Sequence, residues 1–277
     1  MLAPAASPQR VRCRQIAESD LPGLADLLAR GFPRSDRATW TRGFERLAAL
    51  APVEGMPRFG YVLDSEQGIV GVLLLISSRR PDGRIIANLS SWYVEPAWRA
   101  HSTLLTQVAT KSRQVTYLNA SPAPHTWRTL QALGFKPFNL GRSAAFALLG
   151  RGRVSDIIPG DLPEQGMLLA HRALGCTSLV CEKDGVLHPF IFKPRRLDRP
   201  NVKMMEIIYC RDTADFAKCS GALGRHFLKR GVLGFILDGR ISGMPSHYVA
   251  GKEPRFYKGP EAPSLNDLAF TEKVIFE

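Results

Sequence analysis

LSSWYVEPAWRAHSTLL, residues 89–105, joins a predicted β-strand to a predicted α-helix. Residues 85–94, which end within this stretch, are rich in β-branched and aromatic residues. Pro96 ends the strand because proline has no N–H to donate to a neighbouring strand. Leu104, Leu105 and Val108 then recur at spacings of three and four, as on one face of a helix. At such a junction, backbone N–H groups and the positive end of the helix dipole point into one space. The stretch therefore suits an anion such as a phosphate or pyrophosphate.

The composition is that of a folded protein with an excess of positive charge. The 277 residues suffice for one large domain or two of ordinary size, and 45% of them are apolar, which excludes a disordered chain. No apolar run reaches the roughly 20 residues of a membrane-spanning helix. Residues 1–15 contain no apolar signal segment, so we expect a cytoplasmic protein. The formal charge of +12 indicates an affinity for anions, without choosing between a cofactor, a nucleic acid and an acidic surface.

The five cysteines are an odd number and are scattered along the chain. They fit reduced thiols in a reducing compartment better than a disulfide framework. Cys176, Cys181, Cys210 and Cys219, together with His171, invite a zinc interpretation. The cysteine spacings are four and eight intervening residues rather than two, however, so we predict no metal site.

The order of predicted elements in the first half is strand, two helices, three strands, helix, strand, helix and strand. This order is typical of an α/β layer with a mixed sheet. The predicted strands lie at residues 11–16, 59–63, 69–76, 85–94, 115–118 and 144–149. The third predicted helix extends from about residue 102 to 112.

The second half repeats the pattern of the first at a constant offset. Gly68 and Gly185 each precede an apolar strand, and Val115 and Val232 each begin a short one; both pairs lie 117 residues apart. A constant offset indicates an internal repeat, although two generic α/β patterns can also coincide by chance. The repeated strands and helix would lie at residues 179–181, 186–192, 204–209 and 216–229. The glycine- and arginine-rich segment 150–153 then separates two domains, 1–149 and 150–277.

Short motifs sit at the ends of these elements. Val94, Pro96 and Arg99 form the pattern V-x-P-x-x-R at the end of the fourth predicted strand, Asn119 follows the fifth, and LQALGF at 130–135 closes a short helix. Together with the order of elements, these motifs resemble the GNAT superfamily of acyl-CoA-dependent N-acyltransferases. The resemblance implies an α/β fold with a GNAT-like mixed sheet flanked by helices. With the repeat, it implies two such domains in tandem: an N-terminal acyl-CoA-binding domain and a degenerate C-terminal one.

The resemblance also implies a co-substrate, acetyl-CoA or a longer acyl-CoA, with its pyrophosphate at the junction after Val94. Members of the superfamily usually follow the arginine with glycines, whereas here Ala100 and Ser102 stand in the run. Only glycine lacks a Cβ, so side chains approach the pyrophosphate more closely here. The junction either binds the CoA or is a structural turn. The residues that the resemblance assigns to the co-substrate are Val94, Arg99, Ala100, His101, Ser102, Thr103, Leu104, Asn119 and Trp127.

Catalysis in the superfamily takes place where the fourth and fifth strands separate. The resemblance makes the backbone N–H of Tyr93 or Val94 an oxyanion donor, and makes Ser91, Tyr93 or Glu95 the groups that contact the acceptor or relay its proton. Leu130 stands where many members carry a tyrosine acid, which leaves Tyr93 as the candidate acid. For each of these residues, simple packing in the core is the alternative interpretation.

The resulting prediction is an acyltransferase that moves an acyl group from acyl-CoA to an amine or hydroxyl acceptor by direct attack, the acceptor being a small molecule or a peptide. The main alternative is a degenerate, non-catalytic protein of the same fold that binds an anionic ligand or partner. Nucleic-acid binding rests on charge alone, without aromatic residues interleaved in a basic stripe, and is therefore not expected. The basic segment 193–200 is interpreted as a solvated loop or a contact for an anionic partner.

Overall fold

The computed structural model describes residues 10–197, 201–251 and 254–276. Residues 1–9, part of the N-terminal segment predicted to lack a signal, lie outside this range. The chain forms two compact units, each made of more than one segment. The N-terminal unit consists of Met1–Lys136, Phe256–Glu261 and Phe270–Glu277, and the C-terminal unit of Pro137–Arg255 and Ala262–Ala269.

Helices and strands alternate along the chain in the predicted order, with additional short strands. The first half contains β1 (Val11–Gln15), α1 (Leu21–Gly31), α2 (Arg37–Ala49), β2 (Gly60–Ser65), β3 (Gly68–Arg79), β4 (Ile85–Val94), α3 (Ser102–Ala109), β5 (Val115–Asn119), α4 (Trp127–Ala132), β6 (Lys136–Phe138) and β7 (Arg142–Phe146). The second half contains β8 (Arg153–Ser155), α5 (Gln165–Ala173), β9 (Thr177–Lys183), β10 (Val186–Leu197), β11 (Val202–Tyr209), α6 (Thr213–Leu228), β12 (Gly234–Asp238), β13 (His247–Val249), β14 (Arg255–Lys258) and α7 (Glu272–Ile275).

Two seven-stranded mixed sheets organise the units. The first has the strand order β1-β2-β3-β4-β5-β14-β6, and the second has the order β13-β7-β12-β11-β10-β9-β8. In the first sheet β2, β3 and β4 are antiparallel neighbours, and β4 is parallel to β5. In the second sheet β9, β10 and β11 are antiparallel neighbours, and β11 is parallel to β12. The predicted mixed sheet, present twice, is thus confirmed.

The internal repeat is visible in the residues at which corresponding strands begin. Gly60 and Thr177 begin β2 and β9, and Ile85 and Val202 begin β4 and β11; each pair is 117 residues apart. A helix follows the third strand of each set, namely α3 in the first half and α6 in the second. The constant offset of the sequence therefore corresponds to a repeated arrangement of strands and helix.

Each sheet also contains one strand from the other half of the sequence. β7 pairs antiparallel with β12 in the second sheet, whereas β14 pairs antiparallel with β5 in the first. The expected division at residues 149 and 150 differs from the two contact units for this reason. The strand expected at 144–149 lies at Arg142–Phe146 and belongs to the C-terminal unit. An apolar pattern predicts a strand but does not predict which other strand it pairs with, because pairing depends on the faces that the folded sheet buries.

Each unit has an apolar core of its own. In the N-terminal unit, α3 packs over β2 and β3, and the largest fully buried rings include Tyr117 and Phe256. In the C-terminal unit, a cluster of phenylalanines joins β10, α6 and β12. Its ring contacts connect Phe190, Phe192, Phe216, Phe227 and Phe235 at centroid distances of 4.9–6.0 Å.

The basic segment expected to be a loop is largely a strand. Residues 193–197 are the end of β10 and pair with β11, from Lys193 opposite Glu206 to Leu197 opposite Val202. Paired strand backbone satisfies the hydrogen-bonding groups that a loop would leave to water. The rest of the segment, residues 198–200, lies outside the described residues.

All five cysteines are free thiols, and four of them are buried. Burial raises the pKa of the Cys210 thiol. Among the described residues, no group of three or more histidines, cysteines and carboxylates could hold a metal ion. None of the described helices combines the length and the hydropathy needed to cross a membrane.

Candidate functional site

A bulge interrupts β4 near its carboxyl end. Leu74 of β3 lies opposite Ser90, and Val72 lies opposite Tyr93, so that Ser91 and Trp92 together face one residue of β3. Ser91 has a φ of 53°, in the left-handed region that few non-glycine residues adopt. Such a bulge bends the strand and re-aims the side chains and amides that follow it. Here it redirects Tyr93 and Val94, the residues expected at the oxyanion position.

β4 and β5 separate just before this bulge. Their parallel pairing extends from Ile85 opposite Val115 to Asn88 opposite Leu118, whereas β4 continues to Val94. The carboxyl ends of the two strands therefore border an opening in the sheet. This geometry is the one that the resemblance implied for the reacting groups.

A cavity of about 540 Å³ lies at the end of β4 in the N-terminal unit. Its volume falls within the roughly 300–1,000 Å³ of sites for small ligands. The lining consists of Trp92, Tyr93, Val94, Arg99, Ser102, His125, Thr126 and Thr129. Four of these residues were predicted from the sequence: Tyr93, Val94, Arg99 and Ser102.

The junction after β4 is a 3₁₀ turn, Pro96–His101, followed directly by α3. Trp98 is buried and anchors the turn, with its ring centroid 6.1 Å from that of His101. The Ser102 N–H donates to the carbonyl oxygen of Arg99. Arg99 itself is exposed, and among the described residues it forms no ion pair and no side-chain hydrogen bond. Its guanidinium is therefore a free cation at the edge of the cavity.

The other predicted residues of the junction do not line the cavity. Ala100 is exposed, whereas His101, Thr103 and Leu104 are half-buried, and Leu104 packs against the apolar core. Of the six residues from Arg99 to Leu104, only Arg99 and Ser102 contribute to the lining. The helix predicted from about residue 102 to 112 ends at Ala109.

Tyr93 lies against the end of α1. A Cβ on Gly31 would lie 2.5 Å from the Tyr93 ring, so only glycine allows the ring to approach the helix this closely. The ring centroid of Phe32 is 6.2 Å away. Within the described part of the chain, the Tyr93 hydroxyl has no hydrogen-bond partner, which leaves it available to a ligand in the cavity.

Ser91 and Glu95 have partners in the structure. The Ser91 hydroxyl lies 3.1 Å from the hydroxyl of Ser90. Glu95 accepts a hydrogen bond from Arg30 at 2.9 Å, and its backbone N–H donates to the carbonyl oxygen of Val70. Neither residue is part of the cavity lining.

Beyond β5, the chain brings further residues to the cavity. His125, Thr126 and Thr129 lie in the turn before α4 and in its first part. None of these three residues was predicted from the sequence. The available signal was their position just after a strand parallel to β4, because the carboxyl ends of parallel strands share an edge. Trp92 was likewise not predicted as a site residue.

The remaining predicted positions, Asn119, Trp127 and Leu130, contact other parts of the protein and do not line the cavity. Asn119 is buried, with Phe256 of β14 opposite it. Trp127 is half-buried and donates from Nε1 to the carbonyl oxygen of Pro122 at 3.2 Å. Leu130 is fully buried in the core, so the position compared with the superfamily's tyrosine acid does not face the cavity, and its neighbour Thr129 lines it instead.

A scan against models of protein families finds no match for this chain, and a search of curated proteins finds none either. Solved structures, in contrast, match over most of its length. A GCN5-related N-acetyltransferase from Anabaena variabilis has a TM-score of 0.61 at 11% identity, covering 90% of this chain and 72% of its own.

Two further structures are similar to a comparable degree. A protein described as an acetyltransferase candidate from Pyrococcus horikoshii has a TM-score of 0.55 at 12% identity, covering 97% of this chain and 96% of its own. A GCN5-related glucosamine N-acetyltransferase region of a fungal multi-domain β-N-acetylglucosaminidase also has a TM-score of 0.55 at 12% identity, covering 93% of this chain and 39% of its own. The chain thus has the fold of the GCN5-related N-acetyltransferases, the GNAT fold, with its mixed sheet present twice.

Proposed function

We propose that the N-terminal unit binds acetyl-CoA or a longer acyl-CoA and transfers its acyl group to an amine. The observation that carries this proposal is the free Arg99 guanidinium at the edge of a cavity that opens where a bulged β4 leaves β5. We place the reaction in the cytoplasm, a location that the five free thiols support.

Both side chains and backbone amides of the junction would bind the pyrophosphate of the co-substrate. Arg99 and the Ser102 hydroxyl would hold the pyrophosphate by charge-assisted hydrogen bonds, which are the stronger kind. The backbone of the 3₁₀ turn and of the start of α3 would add amide donors near the phosphates. Val94 lines the same cavity. The other residues that the resemblance assigns to the co-substrate lie outside this lining and stay predictions: Ala100, His101, Thr103, Leu104, Asn119 and Trp127.

The chemistry of the proposed reaction is direct acyl transfer. Acyl-CoA supplies a thioester, and the acceptor nitrogen forms a bond to its carbonyl carbon as the carbon–sulfur bond breaks. The backbone N–H of Tyr93 or Val94 would donate to the carbonyl oxygen as negative charge develops on it. The Tyr93 hydroxyl would give its proton to the departing sulfur. Ser91 or Glu95 would relay the proton released by the amine to solvent water, from which the Tyr93 phenolate is reprotonated. Because Arg30 already holds Glu95, we favour Ser91 for the relay.

An amine acceptor has more support than a hydroxyl one. One of the similar structures is described as a glucosamine N-acetyltransferase region, which acts on an amine. The acceptor of this chain, a small molecule or a peptide, would enter beside Tyr93. The cavity volume of about 540 Å³ suits a compact group rather than a folded partner.

A thermal-shift experiment tests the binding step. The protein is heated with acetyl-CoA, with longer acyl-CoAs and with an oligonucleotide of matched charge. A ligand that binds only the native state stabilises it by about 2.7 kcal/mol at a hundredfold excess over its dissociation constant. We expect the acyl-CoAs, and not the oligonucleotide, to raise the melting temperature. Stabilisation by the oligonucleotide alone contradicts the proposal.

A second candidate function, non-catalytic binding of an anionic ligand, follows from two features of the N-terminal unit. The run from Arg99 to Thr103 contains no glycine, and Leu130, buried in the core, supplies no acid. Release of the CoA thiol separates the two candidates. Acyl-CoA binding together with CoA release over a panel of amines supports the transferase, whereas binding without release across the panel favours the non-catalytic function.

A further inference from the structure

The short helix α7 brings a carboxylate to the place where β4 and β5 separate. Glu272 is its first residue. Glu272 Oε2 accepts a hydrogen bond from Asn88 Nδ2 at 2.6 Å, and Oε1 accepts one from the Ser121 hydroxyl. Asn88 is the last residue of β4 that pairs with β5, and Ser121 comes two residues after β5 ends. The carboxylate therefore lies at the mouth of the opening between the two strands.

The charge of Glu272 is not balanced within the described residues. Its two partners are a neutral amide and a neutral hydroxyl, and it forms no ion pair with any described lysine, arginine or histidine. The residue is half-buried. A carboxylate partly removed from water is normally matched by a cation, because neutral donors replace only part of its hydration. The site thus presents an unmatched negative charge in a chain whose formal charge is +12.

Asn88 supplies a second, independent sign of a missing ligand. Its side chain is fully buried, and its Oδ1 atom has no hydrogen-bond partner in the described part of the chain. Buried acceptors are satisfied in most proteins, and an exception calls for an unplaced donor. An ammonium group carries three N–H donors, and can bond a carboxylate and a neighbouring amide oxygen together.

We infer that Glu272, Asn88 and Ser121 form an ammonium subsite for a cationic group of the acyl acceptor. This inference rests on the proposed transferase function and specifies its substrate class. Asn88 precedes the bulge at Ser91 by three positions, or roughly 10 Å of extended strand. The bound ammonium is therefore a second cationic group, distinct from the amine that reacts at the bulge. The acceptor class is a diamine or polyamine, or a larger molecule that carries two amino groups at such a spacing.

Direct binding tests the subsite without any acyl-CoA. α,ω-Diamines of three to eight carbons are titrated into the wild-type protein and into Glu272→Gln by calorimetry, with monoamines of equal length alongside. The glutamine side chain keeps the shape and can still bond Asn88 and Ser121, so the variant is expected to fold. We expect at least one diamine to bind the wild type, with at least tenfold weaker binding to Glu272→Gln and to the matched monoamine.

The matched control is Glu261→Gln, which removes an exposed carboxylate of the same unit that only flanks Arg84, at 3.6 Å. It should bind diamines as the wild type does. If Glu272→Gln does not fold, Glu272→Asp decides, because it keeps the charge but is too short to reach both partners; a loss of at least fivefold is expected. Equal affinity of the wild type and the folded Glu272 variant, or no diamine binding to the wild type at 10 mM, overturns the inference.

Kinetics then separate the subsite from the proposed function. Where the wild type releases CoA, Glu272→Gln should lower kcat/KM for the best diamine at least tenfold, and change it less than twofold for the monoamine. Its affinity for acyl-CoA should equal that of the wild type. A protein that binds diamines through Glu272 but binds no acyl-CoA refutes the transferase and leaves the subsite standing; equal losses for diamine and monoamine refute the subsite alone.

Discussion

The carboxyl ends of β4 and β11 occupy the same place in the two sheets, but they differ in chemistry. Both strands carry a bulge with one extra residue: Ser91 in β4 and Ile208 in β11, which are 117 residues apart. Beyond the first bulge the chain reaches the free Arg99 guanidinium at a cavity. Beyond the second it reaches Arg211, whose guanidinium is held by the buried Glu164 at 2.7 and 2.9 Å.

The helices that follow the two strands differ in the same way. The N-terminus of α6 is capped by the Asp212 carboxylate, which accepts from the Asp215 N–H at 2.7 Å. Two carboxylates at this end already satisfy the helix dipole and would repel a phosphate. The start of α3 has basic and hydroxyl side chains instead, at Arg99, His101 and Ser102. The same backbone arrangement thus leaves a free cation beside a cavity in one unit, whereas the charges at the strand end of the other unit pair with one another. A few side chains decide what a fold can bind.

The largest expected effect tests whether the N-terminal strand end is catalytic. Tyr93→Phe should slow CoA release by about a hundredfold, since general acid catalysis is typically worth about 10²–10⁴-fold. Tyr209→Phe, at the end of β11, removes a 3.3 Å hydrogen bond to Glu164 within the C-terminal unit and should leave the rate unchanged. CoA release from a panel of amines measures both. A full-rate Tyr93→Phe enzyme excludes Tyr93 as the acid.

The second largest expected effect is a loss of acyl-CoA affinity when the free Arg99 guanidinium is removed. Arg99→Ala should weaken acyl-CoA binding about tenfold or more, because a hydrogen bond to a charged group contributes about 1.5–3 kcal/mol. The melting temperature of the free protein should hardly change, since Arg99 has no partner among the described residues. Arg113→Ala, which removes another exposed arginine of the same unit, is the control and should bind normally. Equal affinities of the two variants would remove Arg99 from the site.

Arg211→Ala should have the opposite profile, with stability lost and acyl-CoA binding kept. The variant leaves the Glu164 carboxylate buried without its cation, which should lower the free energy of unfolding by about 1–3 kcal/mol. Denaturant unfolding and acyl-CoA titration measure the two quantities. Reduced acyl-CoA affinity in Arg211→Ala, at unchanged stability, would show that the second strand end also binds the co-substrate.

The destabilisation by Arg211→Ala should depend on pH. Burial alone would raise the pKa of Glu164, but the hydrogen bonds and charge of Arg211 hold it below its ordinary value. A carboxylate with a lowered pKa in the folded state stabilises above its unfolded pKa and loses this contribution as the pH falls through the folded value. Without Arg211, burial raises the pKa instead. The destabilisation by Arg211→Ala should therefore be larger at pH 7 than at pH 4, and an effect independent of pH would contradict this account.

The smallest expected effect is the change in the free energy of unfolding when Ser91, at the bulge of β4, is replaced; Ile208, at the bulge of β11, serves for comparison. Ser91→Gly should change the free energy of unfolding by less than about 1 kcal/mol, because glycine relieves the positive φ but gains freedom in the unfolded chain. Ile208→Gly should destabilise by about 2–4 kcal/mol, since it removes a buried side chain. Chemical denaturation measures both. A larger loss for Ser91→Gly than for Ile208→Gly would mean that the Ser91 hydroxyl has a structural role.

Local patterns determined the elements of this protein. The β-branched and aromatic residues of β4 predict a strand, the proline at position 96 predicts its end, and the apolar spacing of α3 predicts a helix. These preferences act between residues close in sequence. The offset of 117 predicted the second sheet for the same reason. Arg99 and Ser102 could be named in advance because they stand at the end of one such local unit.

The tertiary structure alone decided which distant segments meet. β7 and β14 each pair in the sheet of the other half, His125 and Thr129 reach the cavity from beyond β5, and Glu272 returns from the end of the chain to the opening between β4 and β5. Each of these contacts joins residues that no local pattern relates, and each depends on which faces and backbone groups remain unpaired once the rest of the sheet has formed.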